Sequence, residues 1–196
     1  MKLVHCNLID ESLNAFHYDA RFSVLPTFKY WVAGKAKKRF RPEVVAKLTE
    51  LDTKIIDGES FDESANCLQG VAAIDPGELL LIGTACAMPN SVILTGDKRA
   101  IRALAAADGY PALQPKLIGK IVIIEQVILA LIEKHGFEFV RDRVCASNDG
   151  DLSFDTSLMA AFSGGTDPTE TECRSCLAAY IQDLRKDVGD LLSNIA

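Results

Sequence analysis

Three acidic residues stand where carboxylate chemistry could be done. Asp75 and Glu78 belong to Asp75-Pro76-Gly77-Glu78, and Asp97 to Thr95-Gly96-Asp97-Lys98, directly after the apolar run Ser91-Val92-Ile93-Leu94. An acid just past the carboxyl end of a short buried strand lies where open α/β sheets bind their ligands, and an acid in the first turn of the preceding helix can reach the same edge. Carboxylates gathered there suit Mg2+ or Mn2+, hard cations that take oxygen ligands and keep several waters.

The first string is also a helix start. Asp at the N-cap, Pro at the first helical position and Glu at the third make a capping box. Asp167-Pro168-Thr169-Glu170 repeats the string where nothing suggests chemistry. Asp97 can likewise cap the helix that begins at Lys98, with Gly96 allowing the tight turn. A metal site is therefore read from the combination: a capped apolar helix, a strand, and a second acidic turn, so that Glu78 and Asp97 converge on one sheet edge.

The elements needed to hold them follow from periodicity and punctuation. Strands are expected at Leu3 to Asn7, Lys54 to Ile56, Ser91 to Leu94 and Lys120 to Ile124, and helices over Leu8 to Tyr18, from Arg41-Pro42-Glu43, and over Phe61 to Ala73. Further helices are expected from Pro76, over Lys98 to Ala107, and over Glu125 to Lys134. Short apolar strands alternating with helices predict an α/β fold, a three-layer parallel sheet of about four short strands covered on both faces. Beyond Gly136 no strand is expected. Asn148-Asp149-Gly150-Asp151 reads as a turn, Phe154 to Phe162 as a helix, Ser163 to Thr166 as a loop and Pro168 to Ile195 as a long helix. The division is thus residues 1–135 as the α/β domain and 136–196 as an all-helical extension packed on it, one that could serve a protein partner or a homodimer.

At 196 residues, with 48% hydrophobic and 24% charged side chains, the chain can bury one full core. Its apolar runs fall short of the ~20 residues of a membrane span, and Met1 to His5 has no signal-peptide character, so a cytoplasmic protein is expected. The six cysteines are scattered. Cys173 and Cys176 share a helix face without the second pair a zinc site would need. No GxSxG, HExxH or phosphate-cradling GxxxxGK[ST] occurs. The net charge is −6, yet between Lys29 and Lys47 seven basic residues face one acid, Glu43. Lys35, Lys37, Lys38, Arg39 and Arg41, interleaved with Tyr30, Trp31 and Phe40, are candidate RNA-docking residues, since phosphates draw Lys and Arg and aromatic faces stack on bases.

From Asp75 to Leu104 the chain resembles PIN-like nuclease domains, in which an Asp-x-Gly-Glu helix start is followed one helix later by a strand ending in Thr-Gly-Asp-Lys. The resemblance implies a divalent-metal-dependent endoribonuclease with Asp75, Glu78 and Asp97 as metal-site acids, Mg2+ or Mn2+ activating water, and Thr95 and Lys98 in support. The family pattern also wants an Asp at the end of the first strand, where this chain has His5, with Asn7 in register and Asp10 as the nearest acid to take the catalytic role. Glu43 or Glu63 would supply the Glu after the second strand, and Glu125 follows the strand Ile121 to Ile124. The departure at His5 leaves a second reading: a degenerate PIN-like scaffold acting as a binding or regulatory module. Haloacid-dehalogenase-like phosphohydrolases also place Thr-Gly-Asp after a strand, but they need an Asp-x-Asp that this chain lacks.

Overall fold

The computed structural model describes residues 2–16, 22–147, 155–162 and 168–195. In chain order the elements are α1 (Lys2–His5), α2 (Ile9–Phe16), β1 (Phe22–Val24), α3 (Phe28–Trp31), a π-helical turn (Val32–Ala36), α4 (Lys37–Arg39), α5 (Pro42–Glu50) and β2 (Thr53–Ile55). A 3-10 helix (Glu63–Leu68) leads to α6 (Pro76–Ala87), β3 (Ile93–Thr95), α7 (Lys98–Ala106), α8 (Tyr110–Leu117), β4 (Ile121–Ile123) and α9 (Ile124–His135). Then come α10 (Phe137–Ala146), α11 (Thr156–Phe162), α12 (Glu170–Val188) and a closing 3-10 turn (Gly189–Leu191).

Helices and short parallel strands alternate, as expected of α/β, but the strands do not form one four-stranded sheet. Among the described residues β1 pairs with β2 and β3 with β4, each as a parallel two-stranded ladder. The expected first strand is α1 instead. Cys6 N–H donates to the Lys2 carbonyl at 3.0 Å and Leu8 N–H to that of Leu3 at 2.8 Å. Leu3, Val4, His5 and Cys6 are all buried, so the segment has no in-out alternation to mark a strand, and an unbroken apolar run fits either element. A strand the sequence did not reveal, β1, lies instead at Phe22–Val24.

The chain forms two compact units interleaved in sequence: Met1–Ile55 with Glu125–Tyr180, and Ile56–Ile124 with Ile181–Ile195. In the second unit α6 is apolar nearly all round, and its Ile82, Ala85 and Cys86 join a core with Ile93, Ile101, Leu104, Leu113, Leu117, Ile121, Ile123 and Leu184. Its close approach to the preceding loop requires Gly83: a Cβ there would lie 2.1 Å from the Phe61 ring, and Asp62 N–H donates to the Gly83 carbonyl at 3.1 Å.

Two expected helices are shorter than their apolar patterns. Over Phe61 to Ala73 only the 3-10 helix forms, started by Asp62, which accepts from Ser64 N–H at 3.0 Å, and followed by Gly70 at φ +83°. The long terminal helix ends at Val188 because Gly189 takes φ +55°, and Leu192 then bridges in parallel to Ile121. Helix α10, which the sequence did not mark, starts after Gly136 at φ +88°. The expected turn at 148–151 and loop at 163–166 lie outside the described residues. No described helix is long and apolar enough to cross a membrane.

Candidate metal centre

Asp75, Glu78 and Asp97 lie in the same unit, at the amino ends of α6 and α7. At α6 the capping box is complete: Glu78 N–H donates to Asp75 Oδ1 at 2.8 Å, and Asp75 N–H donates to Glu78 Oε2 at 2.8 Å. At α7, Asp97 Oδ1 accepts from the N–H groups of Arg99 and Ala100 at 3.0 and 3.2 Å, and Arg99 Nη2 reaches Asp97 Oδ2 at 3.3 Å. Thr95, the last residue of β3, accepts from Asp97 N–H at 3.1 Å and so fixes the turn that carries this acid. Lys98 opens α7.

The charges of the three acids act on one another. Burial pushes the Glu78 carboxyl above its ordinary value; the hydrogen bond from Asp75 N–H lowers it, while the negative charges of Asp75 and Asp97 raise it further against Arg99. Burial alone would raise Asp97 too, but the Ala100 and Arg99 hydrogen bonds prevail and hold it low. The set is all-oxygen and mutually repulsive, which in donor chemistry fits a hard divalent cation. In geometry the acids are held as helix caps, and among the described residues no three acidic, histidine or cysteine side chains are arranged to hold a metal ion.

Of the other candidate acids, Glu63 belongs to the same unit as this set, and Asp10, Glu43 and Glu125 belong to the other. Asp10 is in the first turn of α2, in the other unit, where Lys47 Nζ holds its carboxylate at 2.8 Å. Glu43 pairs with Arg41 at 3.3 Å, and Glu63 accepts from Asn66 at 2.6 Å. Glu125 is fully buried at the start of α9. His5, read as standing in a strand, ends α1 with its ring 5.6 Å from that of Phe40. At α12 the capping box is made by Thr169 and Glu172, with Glu172 N–H on Thr169 Oγ1 at 3.3 Å and Thr169 N–H on Glu172 Oε2 at 3.1 Å. Asp167 itself lies outside the described residues.

The basic segment runs through α3, the π-turn and α4 in the first unit, with Lys35, Lys37 and Lys38 exposed and Arg39 closing α4, its side chain outside the description. Of the interleaved aromatics, Tyr30 is 82% exposed. Trp31 and Phe40 instead meet each other, ring centroids 6.0 Å apart. Cys173 is buried and donates to the Ala161 carbonyl at 2.7 Å, a packing role.

Two features were not singled out from the sequence. Arg99 supplies a counter-charge to the acidic rim, a signal available in its position two residues after Asp97. Arg143 lines a pocket in the first unit that no motif announces. No protein-family model, curated protein or solved structure matches the chain, and the PIN-like resemblance therefore rests on the residues from Asp75 to Leu104 alone.

Proposed function

We propose that the protein is a divalent-metal-dependent endoribonuclease of PIN-like type. What supports the reading is placement: Asp75 and Glu78 open α6 and Asp97 opens α7 directly after β3, all in one unit, and the charges of Asp75 and Asp97 add to burial in raising the Glu78 carboxyl. Asp75, Glu78 and Asp97 would hold Mg2+ or Mn2+, which when bound supplies Lewis-acid charge stabilisation and a lowered pKa of water. What the chain's own residues contribute is placement. Thr95 and the amides of Arg99 and Ala100 orient Asp97, the capping box orients Asp75 and Glu78, and Asp97 would exchange the Arg99 guanidinium for the cation. Lys35, Lys37 and Lys38, with Tyr30 as a stacking face, are the proposed RNA contacts.

A second reading, a binding module without catalysis, is favoured by one specific observation: the same carboxylates already serve as helix caps, and no described trio is arranged to hold an ion. Cleavage of single-stranded RNA with Mn2+ or Mg2+ separates the two. Asp97→Asn keeps the cap, because Asn caps as well as Asp, so it should stay folded yet lose cleavage by on the order of 10²-fold or more. Retained cleavage in this variant removes Asp97 from the reaction. An absence of cleavage in both proteins, together with retained RNA binding, selects the binding module.

A further inference from the structure

A cavity of about 320 Å³ opens within the first unit, lined by side chains from three distant stretches of sequence: His5 and Asn7, Arg41, and the segment containing Asp142, Arg143 and Ser147. Two guanidinium groups meet in it. Asp142, the acid on its wall, is engaged by Arg141, whose Nε and Nη2 donate to Oδ1 at 3.0 and 2.9 Å.

Arg143 is held by its plane and by an ion pair with Glu11. Its guanidinium lies 3.5 Å from the centroid of the Phe139 ring, a cation–π stack that fixes the fork's orientation. The nearest carboxylate oxygen, Glu11 Oε1, is 3.7 Å from Nη2, beyond hydrogen-bond distance, and Nε is buried without a hydrogen-bond partner among the described residues. A buried guanidinium donor without an acceptor costs free energy, and other atoms of the Arg143 side chain line the cavity. Asn7 holds a left-handed backbone, φ +52°, and its Oδ1 is taken by Lys47 Nζ at 2.8 Å, which leaves its amide N–H groups for another acceptor. Ser147 is buried with its hydroxyl directed to the Val144 carbonyl, and burial pushes the neighbouring Cys6 thiol up to about 12, so that neither brings a negative charge to the pocket.

We propose that this pocket binds the phosphoryl group of a small phosphate monoester, with Arg143 as the principal ligand and Arg41 as the second cation. Planar guanidinium forks match phosphate oxygens two at a time, and two of them favour a dianion over a carboxylate. The cavity volume, at the lower end of the range for small-molecule sites, leaves room for more than the phosphoryl group itself. This assignment is independent of the nuclease reading.

Calorimetric titration of the full chain with ribose 5-phosphate, inorganic phosphate and acetate tests it, circular dichroism reporting folding. The monoester should bind most tightly, with inorganic phosphate weaker and acetate weakest. Arg143→Gln should weaken the monoester about ten-fold or more. Ala146→Glu, which adds a carboxylate to an exposed wall position and spares the core, should weaken it comparably and keeps the test valid should Arg143→Gln fail to fold. Unchanged affinity in a folded Ala146→Glu protein, or acetate binding as tightly as the monoester, overturns the proposal. Binding of inorganic phosphate with exclusion of the ester overturns the monoester as its occupant.

Discussion

At the acidic rim every carboxylate is held by groups within three residues of itself: Asp75 and Glu78 by each other's amides, Asp97 by Arg99 and Ala100. Around the arginine pocket the reverse holds, for its lining comes from residues 5–7, 41 and 142–147, and the pair nearest to Arg143 after its stack is Glu11. The rim satisfies its polar groups locally, so it remains a good helix start whether or not it does chemistry. Among the described residues the buried Arg143 Nε has no hydrogen-bond partner, a cost that local sequence does not explain.

Three substitutions would break or sharpen this contrast. The largest effect is expected from Gly83→Ala, which asks whether the rim is as local as its hydrogen bonds suggest. The added Cβ would stand 2.1 Å from the Phe61 ring, and overpacking should cost about 1–3 kcal/mol; urea unfolding with an unchanged midpoint would show that the ring gives way freely and that α6 does not depend on that approach.

Asp97→Ala comes next, at about 0.5–2 kcal/mol, the usual loss of a helix N-cap. The rim's local character predicts that this loss appears as fraying of α7 in hydrogen exchange and leaves phosphate-monoester binding at the pocket unchanged. A loss confined to core amides elsewhere in the unit would mean that Asp97 acts through packing.

The smallest effect, and the most informative in sign, is that of Glu78→Gln. A carboxyl raised in the folded state binds its proton more tightly there than in the unfolded chain, so stability falls as pH rises from the unfolded value of 4.5 through the raised folded one, and the deficit is complete above it. Glutamine keeps the acceptor of the capping box and removes the repulsion, so the variant should be more stable than wild type at neutral pH by about 0.2–0.5 kcal/mol, discounted for the partial exposure of the site. The difference should vanish below pH 4.5. Millimolar Mn2+ should close the gap from the other side by stabilising wild type; if the ion raises the melting temperature of both proteins equally, Glu78 is not a ligand.

Legibility from sequence followed the range of the interactions. The capping box of α6, the Asp97 turn and the apolar stripes of α5, α7 and α9 depend on neighbours three or four positions away, and residue types alone carry them. Even at that range there is a limit, since the sequence did not single out the box of Thr169 and Glu172 that caps α12. Leu3 to Asn7 read as a strand because so short a segment has no period to separate the two states.

Within its own stretch of chain, then, the sequence determined that Asp75, Glu78 and Asp97 stand at helix amino ends, Asp97 directly after a short strand, because capping and turn chemistry act over a few residues. Only the tertiary structure decided that the strands pair as two ladders, that the compact units interleave along the chain, and that Arg41 and Arg143 line one pocket with His5. Strand pairing and pocket lining join residues tens of positions apart, and such contacts are chosen by the free energy of burying the whole core rather than by any local preference.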